Sequence, residues 1–321
     1  MLGEFVSRQS AAVLAARTRQ QAQRLLDFDP DVVRACYNQT PFLLKHRLTE
    51  HLGFSLPTLF GLCRRLPREQ VKYRVGAIPG DTNFDASFTR FSEGLTLDDV
   101  LERFEESKAY ICVYNPERDP AYRPVLEGLL AEIAAGIEAI DPVITWYSTY
   151  IFISTRDSVT PYHMDREMNY LLQIRGEKTA YLWNPRDDEV MTPAEKDRLL
   201  ADFDSRRPVY KASFEAKSMR YELRPGLGVH HPFIAPHRVH TGSDLSVSLA
   251  FTFRTQTSDV WSRAHAFNHV LRVCGLSPAP VGQGHLYADR AKAVASRAMR
   301  GPVRLLQRGW RASAIAGLSR P

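Results

Sequence analysis

A histidine and an aspartate two residues apart, His163 and Asp165, lie in the stretch TPYHMDREMNYLLQIRGEK. At the mouth of a strand, residues i and i+2 leave the same face, so imidazole and carboxylate point together. Two histidines and one carboxylate with open positions opposite them form the facial triad that holds ferrous iron. His240, just ahead of the run SVSLAFTF, is the candidate third ligand. His237 is its main rival, while His230 and His231 stand further out as structural or substrate-facing residues. Thr160 and Asn169 supply polar groups and Lys178 a cation, a set suited to holding a dicarboxylate.

The spacing carries more weight than the pair alone. With ten histidines in the chain, about half an HxD match arises by chance. Thr160 precedes His163 by three residues, and Asn169 and Lys178 follow it by six and fifteen. Alternation then puts Lys178, Ala180 and Leu182 on one strand face and Thr179, Tyr181 and Trp183 on the other. If the first face is interior, an unpaired lysine sits at the lip of an apolar barrel, and an anion would relieve that cost. A ligand set of two histidines and one carboxylate favours iron over zinc.

These residues need a β-framework, and the sequence supplies one. Between Thr145 and Arg254 six runs rich in β-branched and aromatic residues are separated by turn signals: TWYSTYIFIST, NYLLQIR, TAYLWN, RYELRPG, HPFIAP and LSVSLAFTF. They suffice for two facing sheets or a rolled barrel of jelly-roll type, a mainly β core with helices before and after it. Residues 4–27 read as an N-terminal helix, and Pro41-Phe42-Leu43-Leu44 as a strand or a helix start. Leu56–Arg65, Tyr122–Ile140 and Val260–Cys274 carry helical patterns, Val71–Val75 and Tyr110–Tyr114 read as strands, and Thr96-Leu97-Asp98-Asp99 is a capping box. Thr192-Pro193-Ala194-Glu195 caps a short helix in the insertion Pro185–Ser205. The expected organisation is a helical segment over residues 1–30, a catalytic domain over 31–256 with its barrel mostly at 144–255, a helix and linker over 257–288, and a basic tail over 289–321.

Composition bounds the function classes. The chain has 321 residues, 44% of them hydrophobic, enough for a substantial core. Its four cysteines lie far apart without a CxxC pair, which reads as reduced thiols in a cytoplasmic protein. No signal-peptide pattern or 18-residue apolar run occurs. The net charge of +6 is uneven: eight basic residues against one acidic fall in Asp289–Pro321, leaving residues 1–288 at −1. A nucleic-acid partner for the main domain therefore does not follow from the charge.

The segment TxxHxD at Thr160, His163 and Asp165, the lysine Lys178 on the next strand, and the late stretch PGLGVHHPFIAPHRVHTGSDLSVSLAFTF resemble the Jumonji-C and cupin-like Fe(II) and 2-oxoglutarate dependent oxygenases, particularly their hydroxylase branch. The resemblance covers roughly residues 39–253. It implies a double-stranded β-helix, iron on His163, Asp165 and His240, hydrogen bonds from Thr160 and Asn169 to 2-oxoglutarate, and Lys178 on the distal carboxylate. Arg254 is the second choice for that last role. With O2 as the oxidant the implied reaction is hydroxylation of a C–H bond, or demethylation of an N-methyl group, with release of succinate and CO2. Asp165 fills the position a halide would need, so halogenation is not implied. The alternative is a cupin-like binding or regulatory module without turnover.

Tyr162, Arg166 and Trp183 lie near the expected mouth as candidate substrate contacts, with Arg166 favouring an anionic small molecule or protein side chain. In the tail, Arg297, Arg300, Arg304, Arg308 and Arg311 follow helical spacing, with Leu305, Leu306 and Trp310 beside them. Such a face could meet the inner surface of an anionic membrane peripherally, and a solvated tail is the alternative. The resemblance also implies pairing through a C-terminal helix, which makes Val260–Cys274 the candidate homodimer element.

Overall fold

Two antiparallel sheets face one another in the computed structural model, which describes residues 24–79, 82–92, 94–201, 208–283 and 286–298. The chain enters through β1 (Leu26–Asp27), α1 (Pro30–Cys36), β2 (Phe42–His46), α2 (Leu56–Arg65), β3 (Val71–Arg74), α3 (Phe84–Arg90), α4 (Leu97–Glu102), β4 (Tyr110–Tyr114) and α5 (Arg123–Ile137). A block of strands follows: β5 (Ile144–Ser154), β6 (Val159–His163), β7 (Met168–Arg175) and β8 (Lys178–Leu182). After the crossing helix α6 (Pro193–Ala201) come β9 (Met219–Leu223), β10 (Leu227–His231), β11 (His237–Thr241), β12 (Ser246–Thr255) and α7 (Gln256–Val273). Residues 286–298 are helical as well.

The large sheet runs β1-β2-β10-β7-β12-β5-β4-β3 and the small one β6-β11-β8-β9. This is the jelly-roll core with flanking helices. Period-two alternation on the central strand β12 decides how it packs. Val247, Leu249, Phe251 and Phe253 are all fully buried in the main core, with Leu59 and Leu62 of α2, Val100 and Leu101 of α4, and Leu126, Leu129 and Ile133 of α5. Ala250, on the opposite face, joins Leu171, Ala180, Leu182, Leu223, Val229 and Val239 in a second cluster drawn from both sheets, which is the barrel interior.

Turn chemistry fixes the crossings. Between β7 and β8 the chain passes from the large sheet to the small one at Gly176, whose φ is +65°. A Cβ there would lie 2.1 Å from the Leu245 carbonyl oxygen, so only glycine fits. Thr96 forms its capping box with Asp99, and Thr255 forms another with Ser258, turning β12 directly into α7. Each such cap is worth about 1 kcal/mol.

Several expectations are corrected. Leu26–Asp27, placed at the end of an N-terminal helix, is a strand paired with Lys45 and His46; residues 1–23 lie outside the described residues. Phe42–His46 is a strand. The run HPFIAP is a turn between β10 and β11, with Ile234 at φ +56°. Eight strands, not six, lie between Ile144 and Thr255. The arginine face of the tail falls outside the described residues beyond Arg297. Among the described residues, no helix is long and apolar enough to cross a membrane.

Candidate active site

Inside the barrel the strands stack side chains in three levels. At the open end, His231, Asn169, Thr252 and Ser148 stand in a cross-strand row on β10, β7, β12 and β5. Below them Val229, Leu171, Ala250 and Tyr150 make an apolar row in the same register. Deepest are Gln173, Ser248 and Phe152. Opposite these levels the small sheet presents His163 and His237, then Thr160, Val239 and Ala180, then Thr241 and Lys178.

His163 and His237 are cross-strand partners, with ring centroids 4.2 Å apart. The pairing of β6 with β11 shifts between His237 and Val239, so that three residues of β6 span two of β11. This bulge has a direct consequence: Thr160 and His163, three apart and otherwise on opposite faces, both turn inward. Each histidine is oriented by its own backbone. His163 Nδ1 donates to the Pro161 carbonyl at 2.7 Å and His237 Nδ1 to that of Ala235 at 3.0 Å. A carbonyl only accepts, so both Nδ1 atoms carry a proton, and Nε2 is the atom each ring would offer to a metal.

Asp165 stands between them, 3.9 Å from His163 Nε2 and 3.8 Å from His237 Nε2. One donor atom from each of His163, Asp165 and His237 lies within 4.8 Å of the other two. Burial first, and then the neighbouring His163, holds His237 well below the usual histidine range, which keeps its ring neutral. Phe84 of α3 stacks on His163 at 5.9 Å. Two imidazoles and one carboxylate, all within reach of one ion, match the donor chemistry of a ferrous facial triad.

The third member of this group is His237, not His240. On β11 His237, Val239 and Thr241 point inward, while Arg238 and His240 point out. His240 is paired with Thr179 and packs its ring on Tyr181, 5.3 Å away, on the outer face of the small sheet. Val239 is the signal that could have found this: it is the apolar residue of HRVHT, it must face the interior, and it shares its parity with His237.

Lys178 closes the far end. It is 4% exposed, donates from Nζ to Ser248 Oγ at 2.6 Å, and lies over the Phe152 ring. Burial lowers it from 10.5 to about 7. Thr160 Oγ1 and the Tyr110 hydroxyl are hydrogen-bonded at 3.1 Å, and Thr252 donates to Asn169 Oδ1 at 3.4 Å. Arg254 is at the opposite end of β12 from the Lys178 contact, stacked on Trp146 with Glu167 at 3.9 Å. It flanks the mouth and does not share Lys178's place.

The expected substrate contacts fall elsewhere. Tyr162 and Trp183 pack edge to face, 5.1 Å apart, in a separate buried cluster with Val190 and Phe214, and the Trp183 indole donates to the Phe214 carbonyl. Arg166 donates to the Leu199 and Leu200 carbonyls at the end of α6. All three hold the fold together. Sequence reasoning assigned no role to Phe84 and Tyr110, and read His231 as structural or substrate-facing. Nothing in the local pattern marks Phe84, because its contact to His163 spans two elements far apart in sequence.

Among solved structures, the ribosomal oxygenase YcfD of Escherichia coli is similar at 16% identity. Its structure with cobalt and 2-oxoglutarate gives a TM-score of 0.44 over 87% of this chain and 70% of that one. Its structure with cobalt and succinic acid gives 0.42 over 86% and 69%. No curated protein matches the chain. The family model described as a cupin-like domain matches residues 64–259. With that match spanning more than half of the chain and both sheets of the barrel lying largely inside it, the protein belongs to the cupin-like domain family.

Proposed function

We propose that the chain is an Fe(II) and 2-oxoglutarate dependent oxygenase that hydroxylates a C–H bond of a small molecule, a lipid-linked group or a protein side chain. The observation that carries this reading is the placement, inside one barrel, of a two-histidine, one-carboxylate group at one end and a buried lysine at the other. His163, Asp165 and His237 would hold the metal. Bound there, ferrous iron with 2-oxoglutarate and O2 supplies the oxidising chemistry, releasing succinate and CO2.

The chain's own residues supply position and exclusion. His237 to Thr241, the partner of Lys178, is four residues along β11, about 13 Å of strand. Lys178 Nζ is held against Ser248 and Phe152, and the distal carboxylate of a dicarboxylate on the metal would be directed toward it. Thr160 and Asn169 flank its path with hydroxyl and amide groups. The apolar middle level of Val229, Leu171 and Ala250 excludes water from the column. Arg254 and Trp146 at the rim would meet the substrate.

Anaerobic titration with Fe(II) and then 2-oxoglutarate tests this through the weak visible charge-transfer band of the chelate. A band in the wild type that is lost in His237→Ala is the expected result. A folded wild type without a band overturns the oxygenase reading and leaves a cupin-like ligand-binding module.

A further inference from the structure

His231 is an interior histidine that the triad does not use. Alternation on β10 sends Val229 and His231 into the barrel and His230 outward, where its ring stacks against Tyr37, Phe42 and Tyr170. His231 is 3% exposed, and among the described residues neither of its ring nitrogens has a hydrogen-bond partner. Its ring meets that of His237 edge to face, centroids 4.5 Å apart, and its backbone is paired with Asn169. It stands outside the set of mutually close donor atoms formed by His163, Asp165 and His237. A polar ring buried without a partner is costly, so its hydrogen-bonding capacity points to a bound group beside the triad.

The barrel interior therefore carries an under-satisfied hydrogen-bonding group at each end. Among the described residues, Lys178 has the Ser248 hydroxyl as its one hydrogen-bond partner, and His231 has none at the metal end. A ligand with acceptor oxygens at both ends satisfies the two together. We propose that His231 is a positioning residue for the dicarboxylate co-substrate, its ring N–H donating to an oxygen of the carboxylate held at the triad. The assignment rests on the oxygenase reading and deepens it.

The Co(II)-loaded protein, which reports binding through its visible spectrum without turnover, tests it with His231→Leu and His231→Gln. Co(II) affinity is expected to stay within about threefold of wild type in both. The affinity for 2-oxoglutarate is expected to fall about 10- to 100-fold in His231→Leu and to recover most of that loss in His231→Gln. Unchanged 2-oxoglutarate affinity in folded His231→Leu overturns the proposal, as does a loss of Co(II) binding equal to the loss of 2-oxoglutarate binding, which would make the ring a metal ligand. A measurement free of any folding defect uses wild-type protein with Zn(II) and 15N-labelled histidine. One ring N–H resonance, assigned by its absence in His231→Gln, is expected to move downfield on adding 2-oxoglutarate, and no movement overturns the assignment. Wild type that binds Co(II) but no 2-oxoglutarate overturns this proposal and the oxygenase reading together, whereas binding that is indifferent to His231 overturns this one alone.

Discussion

Lys178 and Ser248 meet at the closed end of the barrel, Nζ donating to Oγ at 2.6 Å, and no carboxylate among the described residues forms an ion pair with the lysine. A hydroxyl accepts a hydrogen bond but brings no compensating charge. Burial consequently sets the proton affinity of this lysine.

The pH dependence has a definite sign. Between pH 7 and 10.5 the unfolded chain keeps the Lys178 proton while the folded, empty protein has lost it, so stability of the empty protein rises with pH across that window. An anion at Nζ favours the charged form, so 2-oxoglutarate binding above pH 7 takes up a proton and weakens as pH increases. Calorimetric titrations at several pH values, each in two buffers of different ionisation enthalpy, should show that uptake. Affinity independent of pH from 7 to 9 would remove Lys178 from the ligand's reach.

Replacing the same residue by methionine keeps most of its volume and removes its charge. Lys178→Met is expected to stabilise the empty protein by about 1–3 kcal/mol near neutral pH, as apolar substitution of a buried charge does, less the unpaired Ser248 hydroxyl. Urea unfolding measures the gain. The same variant should bind 2-oxoglutarate at least about tenfold more weakly.

His237→Ala and His240→Ala separate the two inward and outward histidines of β11. The first is expected to abolish stoichiometric Fe(II) or Co(II) binding at micromolar metal. The second, which removes a ring packed outside on Tyr181, should leave metal affinity within about threefold of wild type. Equilibrium dialysis of both variants decides between the two ligand sets.

Tyr162 and Trp183 should respond as packing residues. Trp183→Ala empties a fully buried site and is expected to cost about 3–5 kcal/mol. Among the described residues the buried Tyr162 hydroxyl has no hydrogen-bond partner, so Tyr162→Phe should be neutral or stabilising by about 1 kcal/mol. Thermal unfolding of Tyr162→Phe, alongside its 2-oxoglutarate affinity, tests this; a loss of affinity with stability unchanged would return Tyr162 to the site.

A buried ion cluster ties α6 to α7. Asp197, 1% exposed, accepts from His265 Nδ1 at 2.7 Å and Arg272 Nε at 2.8 Å. Asp197→Ala leaves both partners without their carboxylate and is expected to destabilise the protein by about 3–5 kcal/mol, read by denaturant unfolding. A cost below about 1 kcal/mol would mean that the two helices dock by apolar contact alone.

Five of the eight strands from β5 to β12 and the helices α2, α4, α5, α6 and α7 were legible because alternation and capping are local. Lys178, Ala180 and Leu182 share a face in any register, and Thr96 with Asp99 announces its helix without help from the rest of the chain. The choice between His237 and His240 was not local. Both flank a strand, and only the inward placement of Val239, set by pairing with β6 and β8, separates them. β6, β10 and β11 are absent from the six expected runs, although His163 and Asp165 were placed at the mouth of a strand; in β6, Pro161 interrupts Val159–His163 and weakens its pattern. HPFIAP reads as a strand by composition, yet Ile234 takes a left-handed conformation that β-branched residues rarely adopt. That turn returns the chain from His231 to His237, a long-range demand that composition does not encode.

The bulge in β6 also sets the tolerance of this region to changes in length. Thr160 and His163 face the same cavity only because three residues there run alongside two of β11. Deleting one residue between them would restore regular pairing, yet it would shift every residue on one side of the cut by one place, reversing which side chains turn inward. Inserting one would enlarge the bulge and carry His163 away from His237. Natural variation in length is therefore expected to collect in the insertion around α6, between β8 and β9, while the three-residue step from Thr160 to His163 stays constant.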